Sequence, residues 1–372
     1  MKNLRQRRIW DRILLCSAVL LLTVGAVGLC LFPAPRFSAV ENRYLAEFPT
    51  LTTAGAINGS YARSVDSYAA ERLPLRLSLR QARALCKLAE GNPEVGGVLL
   101  CRDGSLSRRI TVNERAYGQN LAALQRLVAF SASKGLPVTV AAAPCRIDAR
   151  AEVLPRLYHA EGSEVVAQLR RALPEIIAFE KLTADAHWYR TDHHWSTHGA
   201  YQAYLTLADA LGYRPYSADS FRVEVVKQDF YGTSHSAAGI PFITPDSIAL
   251  YRYAEDMSFS LLLNGKQAPF GGFYDFSKLS DKDGYAVFFG GNYGHLEISD
   301  GTARETLLVI KDSFANALLP FLARHYHILA VDPRYTDIAL TELAPQADRI
   351  LVLCGVQTLC ESAVFRTLTA GI

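Results

Sequence analysis

Short apolar runs alternate with helical patterns over residues 115–372, and this alternation constrains the fold more than any other feature. The apolar runs that we predict as buried strands lie at 138–143, 176–179, 285–289, 306–310, 327–331 and 350–353. Helical patterns separate several of them, at 120–134, 165–173, 197–211 and 314–325. Because parallel neighbouring strands need a crossover connection, the alternation predicts an α/β fold with a mostly parallel, doubly wound sheet between helices.

Two other regions of the chain differ from this alternating pattern. Residues 33–114 are predicted as an extended tether, rich in Pro, Ala, Thr and Gly, followed by a small helical and hairpin region. Within the α/β domain at 115–372, a stretch at about 220–280 is rich in glycine and aromatic residues. Its irregular spacing predicts an insertion with little regular secondary structure.

The segment at 13–32 contains no charged residue and reads ILLCSAVLLLTVGAVGLCLF. A helix of this length covers the ~30 Å hydrocarbon core of a bilayer. Residues 1–12 hold five basic side chains and one acidic side chain. The positive-inside rule therefore predicts a cytoplasmic basic tail at 1–12, a single transmembrane signal anchor at 13–32 and an extracytoplasmic body. The alternative is a cleaved signal peptide, whose apolar core is usually shorter.

Charge and cysteine content exclude several classes of protein. The formal net charge is +3, and its excess lies within the first twelve residues, so the body is close to neutral. A near-neutral body does not favour nucleic-acid binding. The seven cysteines include no CxxC pair, which argues against a zinc site built on thiolates. Their odd number outside the apolar segment argues against a fully paired disulfide framework.

The segment Leu308–Asn316 passes from an apolar strand into a helix through Lys311, Asp312 and Ser313. A serine at such a turn presents its hydroxyl above the sheet, beside the unpaired backbone N–H groups of the helix start. Those groups can stabilise an oxyanion during acyl transfer. The alternative is that Asp312 or Ser313 only caps the helix.

The second candidate segment is Tyr189–Ser196, which reads YRTDHHWS at the start of a predicted helix. Asp192 and His194 are two residues apart, so the carboxylate can reach the imidazole. A serine nucleophile needs a base and a carboxylate that orients the base. Together the two segments supply Ser313, His194 and Asp192 for these roles, with the adjacent His193 as an alternative base. The alternative is that Asp192 only caps the helix.

The other candidate residues are each compatible with more than one role. Gly291 and Asn292 follow a predicted strand and could bind an oxyanion or substrate, although a simple glycine-rich turn is equally compatible. Arg334 follows another strand and could bind an anionic sugar or hold a loop. His194 and His198 are four residues apart and could share a zinc ion, but Trp195 replaces the glutamate of the H-E-x-x-H motif. The sequence therefore predicts no metal ligands and no cofactor.

The tetrad Asp192–Trp195 resembles the signature of the bacterial DHHW proteins, which are similar to SGNH-hydrolase-like alginate O-acetyltransferase proteins. The resemblance extends from about residue 38 to 372 through blocks at 41–45, 72–76, 230–233, 290–292 and 311–314. It implies a permuted, flavodoxin-like SGNH fold with Ser313 as the nucleophile, His194 as the base and Asp192 as the orienting group. Lys311 departs from the pattern, because it replaces the glycine of the usual Gly-Asp-Ser.

We therefore expect a membrane-anchored, extracytoplasmic O-acetyltransferase or acetylesterase that acts on cell-envelope or exported polysaccharide. The resemblance implies that a multi-pass membrane O-acyltransferase donates the acetyl group. One alternative is a catalytically inert SGNH-like scaffold that binds polysaccharide or docks the acyltransferase. A second alternative is a metal-dependent hydrolase.

Overall fold

The computed structural model describes residues 2–31, 36–38, 40–41, 43–73, 75–255, 258–302 and 304–372. The chain divides into two units, which are described separately. The first consists of Met1–Gly91 with Gly239–Pro241, and the second consists of Asn92–Ala238 with Phe242–Ile372.

The first unit is mainly helical. Its helices are α1 (Lys2–Leu31), α2 (Thr53–Ile57), α3 (Ser60–Arg72) and α4 (Arg76–Ala89), and its strands β1 (Phe37–Ser38) and β2 (Arg43–Tyr44) pair antiparallel. Thr52 begins α2, since its Oγ1 accepts a hydrogen bond from the Gly55 N–H at 3.1 Å. Such a cap satisfies one of the backbone donors left unpaired at a helix start.

The predicted membrane anchor at 13–32 falls largely on α1. Phe32 and residues 33–35 of the predicted tether lie outside the described residues. Among the residues that the structure does describe, no helix combines the length and apolar character needed to cross a membrane. The transmembrane anchor at 13–32 stays a prediction.

The second unit mixes strands and helices. Its strands are β3 (Glu94–Val95), β4 (Val98–Leu100), β5 (Leu106–Arg108), β6 (Val138–Ala143), β7 (Phe221–Phe230), β8 (Asp246–Tyr253), β9 (Ser260–Leu263), β10 (Lys266–Gln267), β11 (His295–Ser299), β12 (Thr306–Lys311), β13 (His327–Val331) and β14 (Arg349–Gly355). Its α-helices are α5 (Glu114–Ser133), α6 (Arg146–Ala149), α7 (Glu161–Ala172), α8 (Thr197–Leu211), α9 (Thr233–Ala238), α10 (Leu319–Leu322), α11 (Leu340–Leu343) and α12 (Val356–Glu361). Its 3₁₀ helices cover Ala151–Val153, Asp185–His187, Ala218–Ser220, Phe276–Ser280, Gly284–Val287, Ser313–Ala317 and Ala344–Gln346.

The main sheet has the strand order β10-β9-β11-β13-β12-β14-β6 within the described residues. β13, β12, β14 and β6 are parallel, whereas β10, β9 and β11 join antiparallel. The α/β class is confirmed, but the prediction of a mostly parallel sheet is wrong because the sheet is mixed. Asn264 and Gly265, with φ of 48° and 75°, form a tight turn between β9 and β10, and such a hairpin makes its strands antiparallel.

Both faces of the parallel half are buried. Leu307 and Val309 of β12 belong to the apolar cluster on one face, whereas Leu308 and Ile310 belong to the cluster on the other. Successive side chains of a strand point to opposite faces, so an unbroken apolar run is what a strand covered on both sides requires. The carboxyl ends of these strands meet at one edge, where ligands bind in open α/β sheets.

Several predicted elements differ from the observed ones. The strand at 138–143 and the helix at 197–211 are found with the predicted bounds. The run at 285–289 is a 3₁₀ helix followed by a turn, because its side chains are buried core residues and an apolar run alone does not distinguish strand from helix. The run at 176–179 makes only an isolated parallel bridge, between Ile177 and Ala141.

Two further predictions need correction. The helix predicted at 314–325 is shorter and divided between the 3₁₀ helix Ser313–Ala317 and α10. The region at about 220–280 is more regular than predicted, because β7 and β8 pair there as a long two-stranded antiparallel sheet. Alternation along β7 is masked in the sequence by two register shifts, which change the face that each residue presents.

Candidate active site

Ser313 stands at the turn that follows β12. Asp312 caps the 3₁₀ helix, since its Oδ1 accepts a hydrogen bond from the Phe314 N–H at 3.0 Å. Its Oδ2 accepts from the Gly355 N–H at 2.7 Å and from Thr358 Oγ1 at 2.6 Å. Asp312 therefore performs the capping, which leaves the Ser313 hydroxyl available for other contacts. Among the described residues, no acceptor pairs with the Ser313 backbone N–H.

The tetrad lies in a tight loop directly before α8. Trp188 and Trp195 form an antiparallel bridge across the loop, and the Ser196 Oγ caps α8 by accepting from the Gly199 N–H at 3.1 Å. Ser196 rather than Asp192 is thus the helix cap, which corrects the alternative assignment of Asp192 as a cap.

The structure brings Ser313, His194 and Asp192 together in one hydrogen-bonded series. His194 Nε2 lies 2.7 Å from Ser313 Oγ, and His194 Nδ1 lies 2.6 Å from Asp192 Oδ1. The same carboxylate oxygen accepts from the His194 backbone N–H at 3.0 Å. All three residues are buried. A deprotonated Asp192 places the His194 proton on Nδ1 and leaves Nε2 free to accept the serine proton.

Thr233, the first residue of α9, supplies the remaining hydrogen bonds to Asp192. The Thr233 N–H and Oγ1 lie 2.7 Å and 2.9 Å from Asp192 Oδ2. This close approach depends on the preceding glycine, because a Cβ at Gly232 would lie 2.3 Å from both Cβ and Oδ2 of Asp192. Four donors therefore converge on the two oxygens of one carboxylate.

Two aromatic residues fix the position of the histidine and the serine turn. The ring of Tyr285 stacks on the His194 imidazole at a centroid distance of 3.9 Å and an angle of 5°. Tyr285 also donates through its hydroxyl to the Ser313 carbonyl oxygen at 3.1 Å. The Trp195 indole N–H donates to the Phe314 carbonyl oxygen at 3.0 Å. The tetrad is thereby tied to the nucleophile turn through its tryptophan as well as its histidine.

Electrostatics favour an ionised Asp192 beside a neutral His193. Burial alone raises the pKa of the Asp192 carboxyl, but the adjacent His193 and His194 and the hydrogen bonds from His194 and Thr233 outweigh it and hold this pKa far below its usual value. Burial lowers the pKa of the His193 imidazole to about 3, and His194 acts in the same direction. His193 is therefore neutral at physiological pH.

A cavity of about 180 Å³ opens onto Ser313. The polar side chains that line it include Arg108 of β5, His193 and Arg334 from loops, and Gln357 and Glu361 of α12. Arg334 is held by Asp332, which accepts from its Nε at 2.8 Å and from its Nη2 at 2.6 Å. The predicted residues His193 and Arg334 thus lie at the same cavity as Ser313, whereas Gly291 and Asn292 do not line it.

A buried lysine explains the departure from Gly-Asp-Ser. Lys311 is 1% exposed, and its Nζ donates to Asn316 Oδ1 at 2.7 Å. Since an ammonium group can only donate, the Asn316 amide must turn its Nδ2 outward, where it donates to Asn292 Oδ1 at 3.0 Å. This series of hydrogen bonds orients the exposed Asn292 side chain, because its Oδ1 accepts from Asn316. The Asn292 Nδ2 takes no part in the series. Asn292 is thereby connected to the serine turn through Asn316.

The buried Lys311 makes stability depend on pH in the alkaline range. Burial lowers the pKa of its ammonium group to about 8, although Asp332 partly opposes this effect. Between pH 8 and the unfolded value of 10.5, the unfolded chain holds a proton that the folded chain has lost, so stability rises with pH. We expect the unfolding free energy of wild type, minus that of Lys311→Met, to increase from pH 8 to 10 in urea titrations.

The exposed Lys266 supplies the control for this measurement. The same titrations on Lys266→Met, in strand β10, account for the general effect of removing one lysine charge. If the difference in unfolding free energy between wild type and Lys311→Met stays constant from pH 7 to 10, Lys311 does not lose a proton on folding.

The histidine pair His194 and His198, considered above as an alternative zinc site, does not converge. His194 uses both ring nitrogens on Asp192 and Ser313, while His198 Nδ1 lies 2.9 Å from the Tyr251 hydroxyl. Asp192, His193 and His194 do bring possible ligand atoms within 4.8 Å of one another. Those atoms are the ones engaged in the serine arrangement and in the Thr233 contact, so the donor set fits proton transfer better than metal binding.

Sequence reasoning missed four residues that build the site. Thr233 lies within the block at 230–233 that carried part of the resemblance, and the small Gly232 before it was the available signal. Tyr285 lies in a run that was predicted as a strand, so nothing in the sequence pointed to a ring stacked on His194. Gly355 and Thr358, which hold Asp312, also had no signal in the sequence.

The fold and the site together define an α/β protein with a buried Ser-His-Asp series at the carboxyl edge of its parallel strands. Residues 169–331 match the family described as DHHW protein. The chain therefore carries a DHHW family domain, and the resemblance predicted from the tetrad is confirmed.

Several solved structures are similar to this chain. A DHHW family protein from Eubacterium siraeum aligns with a TM-score of 0.62 and 19% identity, over 74% of this chain and 95% of that chain. PatB1 from Bacillus cereus, solved with a sulfonyl adduct, aligns with a TM-score of 0.60 and 19% identity, over 73% of this chain and 98% of that chain. The O-acetyltransferase domain of Pseudomonas putida AlgJ aligns with a TM-score of 0.43 and 17% identity, over 72% and 93%. No curated protein matches the sequence.

Proposed function

We propose that this protein is an SGNH-type O-acetyltransferase or acetylesterase that acts on cell-envelope or exported polysaccharide. One observation carries the proposal: His194 lies 2.7 Å from the Ser313 hydroxyl through Nε2 and 2.6 Å from Asp192 through Nδ1. This is the order that a serine nucleophile, its base and the orienting carboxylate require. The resemblance to SGNH-like O-acetyltransferase proteins supports acetyl as the transferred group.

In the first half-reaction, Ser313 Oγ attacks the carbonyl carbon of an acetyl ester while its proton passes to His194 Nε2. The carbonyl oxygen becomes an oxyanion, and the unpaired Ser313 N–H is suited to stabilise it. Collapse of the tetrahedral intermediate breaks the ester C–O bond, and the leaving oxygen takes the proton from His194. The acetyl group remains on Ser313.

In the second half-reaction, an acceptor hydroxyl attacks the acetyl-serine carbonyl while its proton passes to His194 Nε2. The Ser313 Oγ–carbonyl bond breaks, and His194 returns the proton to Ser313. A sugar hydroxyl as acceptor gives O-acetyl transfer, and water gives ester hydrolysis. Asp192 holds the His194 ring in place and stabilises its positive charge in both halves.

We further propose that the body acts outside the cytoplasm, as the basic residues before the apolar segment at 13–32 predict. A multi-pass membrane O-acyltransferase would then supply the acetyl group from the cytoplasmic pool, as the family resemblance implies. The reaction written above uses no cofactor, because His194 mediates all four proton transfers.

Covalent labelling tests this proposal. We expect methanesulfonyl fluoride and p-nitrophenyl acetate each to modify the full-length protein once, at Ser313, as located by peptide mass spectrometry. The sulfonyl adduct solved on PatB1 of Bacillus cereus motivates the first reagent. Ser313→Ala is expected to remain unmodified, whereas Ser280→Ala, at an exposed serine, is expected to react like wild type. Absence of an adduct in wild type would favour the inert scaffold.

A further inference from the structure

His193 stands beside the proposed base without taking part in the Ser-His-Asp series. Its ring lies 3.8 Å from the His194 ring, and it lines the cavity that opens onto Ser313. Its Nδ1 lies 2.7 Å from Thr233 Oγ1. Among the described residues, no partner contacts its Nε2. The side chain keeps 23% of its surface exposed, so one edge of the ring is fixed and the other is available.

Counting protons determines what this free nitrogen can do. Asp192 accepts from the Thr233 N–H, the His194 N–H and His194 Nδ1, so it is an ionised carboxylate that can only accept. The single hydroxyl proton of Thr233 must then point to Asp192 Oδ2, which lies 2.9 Å away. His193 Nδ1 therefore carries a proton that it donates to Thr233 Oγ1.

A neutral imidazole carries only one proton, so His193 Nε2 presents a lone pair. Burial, the adjacent His194 ring and the Arg108 guanidinium, which lines the same cavity, disfavour protonation of this imidazole, and they outweigh the opposite effect of Asp192 and Asp312. Arg334 adds a second positive charge at that cavity, although Asp332 balances it. Two imidazole acceptors thus lie near Ser313: His194 Nε2, which contacts the Ser313 hydroxyl, and His193 Nε2, which belongs to a residue that lines the cavity.

We propose that His193 Nε2 accepts a hydrogen bond from a second donor of the acyl acceptor, next to the hydroxyl that is acylated. The acylated hydroxyl has one proton, which it must give to His194, so His193 can only bind a different group. The acceptor class that fits is a vicinal diol or an amido alcohol, as found on a sugar ring. This inference rests on the proposed function and makes His193 a specificity-determining residue for its second half-reaction.

Two acceptors test this inference, since one differs from the other only by a methyl group that replaces a hydroxyl hydrogen. The full-length protein is acetylated with p-nitrophenyl acetate in a mixture that contains trans-1,2-cyclohexanediol and trans-2-methoxycyclohexanol at equal concentrations, and the two acetylated products are quantified. We expect the diol to be preferred about tenfold, after correction for its two equivalent hydroxyls, because one hydrogen bond distinguishes the two acceptors. Both acceptors compete for the same acyl-enzyme, so the ratio does not depend on the acylation rate.

Substitutions at position 193 assign this preference to the imidazole. His193→Asn retains a group that can reach Thr233 but none at the Nε2 position, and we expect its diol preference to fall to about one. His193→Gln returns a carbonyl oxygen to the cavity edge and should recover part of the preference. His159→Asn, at an exposed histidine elsewhere on the second unit, should match wild type.

The outcomes separate this inference from the function on which it rests. A diol preference near one in wild type, or an unchanged preference in His193→Asn, would overturn the role of His193 while leaving Ser313 acylation intact. Slower hydrolysis in His193→Asn with an unchanged diol preference would likewise overturn it, because His193 would then be holding water. Absence of any Ser313 acylation would remove both the proposed function and this inference.

Discussion

Replacing Asp192 by asparagine is expected to slow the acylation of Ser313 by about four orders of magnitude. The carboxylate accepts from two donors of His194 at Oδ1 and from two donors of Thr233 at Oδ2. An asparagine must turn its NH₂ group toward one of these pairs. When the NH₂ group faces His194, it donates to Nδ1, so the imidazole proton must lie on Nε2. The ring can then no longer accept the serine proton.

The burst of p-nitrophenol measured by stopped flow reports this acylation rate directly. Asp209→Asn, at an exposed position of α8, supplies the matched control and should retain the wild-type burst. A loss of less than tenfold in Asp192→Asn would contradict the orienting role. Asp192 would then only stabilise the loop before α8.

Adding a single methyl group at position 232 is expected to lower the acylation rate about 100-fold. The new Cβ of Gly232→Ala would lie 2.3 Å from Cβ and Oδ2 of Asp192, which is far below any normal contact. Either the carboxylate or the backbone before Thr233 must move, and a displacement near 1 Å costs roughly this factor in an oriented reaction. The same crowding is expected to lower the thermal unfolding midpoint.

Gly118→Ala is the matched control for this substitution. Gly118 lies in α5, and an added Cβ there meets no atom within 4 Å. Alanine is favoured over glycine inside a helix by roughly 1 kcal/mol, so this variant should be slightly more stable and fully active. A Gly232→Ala variant with the wild-type burst rate would contradict the view that this backbone fixes Asp192.

The parts of the site that could be predicted are those encoded by neighbouring residues. The two-residue spacing of Asp192 and His194, and the step from an apolar strand to Ser313, are local patterns with local physical causes. The strand at 306–310 was predictable because a strand buried on both faces must be apolar at every position. The structure extends it to Lys311, whose aliphatic chain continues the buried run.

The remaining contacts depend on residues far apart in the chain. Tyr285 reaches His194 only because of how the core packs, and its apolar neighbours made the segment resemble a strand. The orientation of the Asn292 amide depends on Lys311 through Asn316, and no spacing rule contains such a relay. The antiparallel edge was missed for a related reason, since Asn264–Gly265 was hidden inside a stretch that was predicted as irregular.

The bond between Asp312 and the end of β14 has a consequence for the order of assembly. β14 lies between β12 and β6 in the sheet but is the last of these strands along the chain. Until β14 has been inserted between them, Asp312 lacks its hydrogen bonds with Gly355 and Thr358, so the turn that holds Ser313 is not fixed. The Ser313 turn is therefore fixed late in folding, so the reactive centre is not yet assembled while the chain is being synthesised.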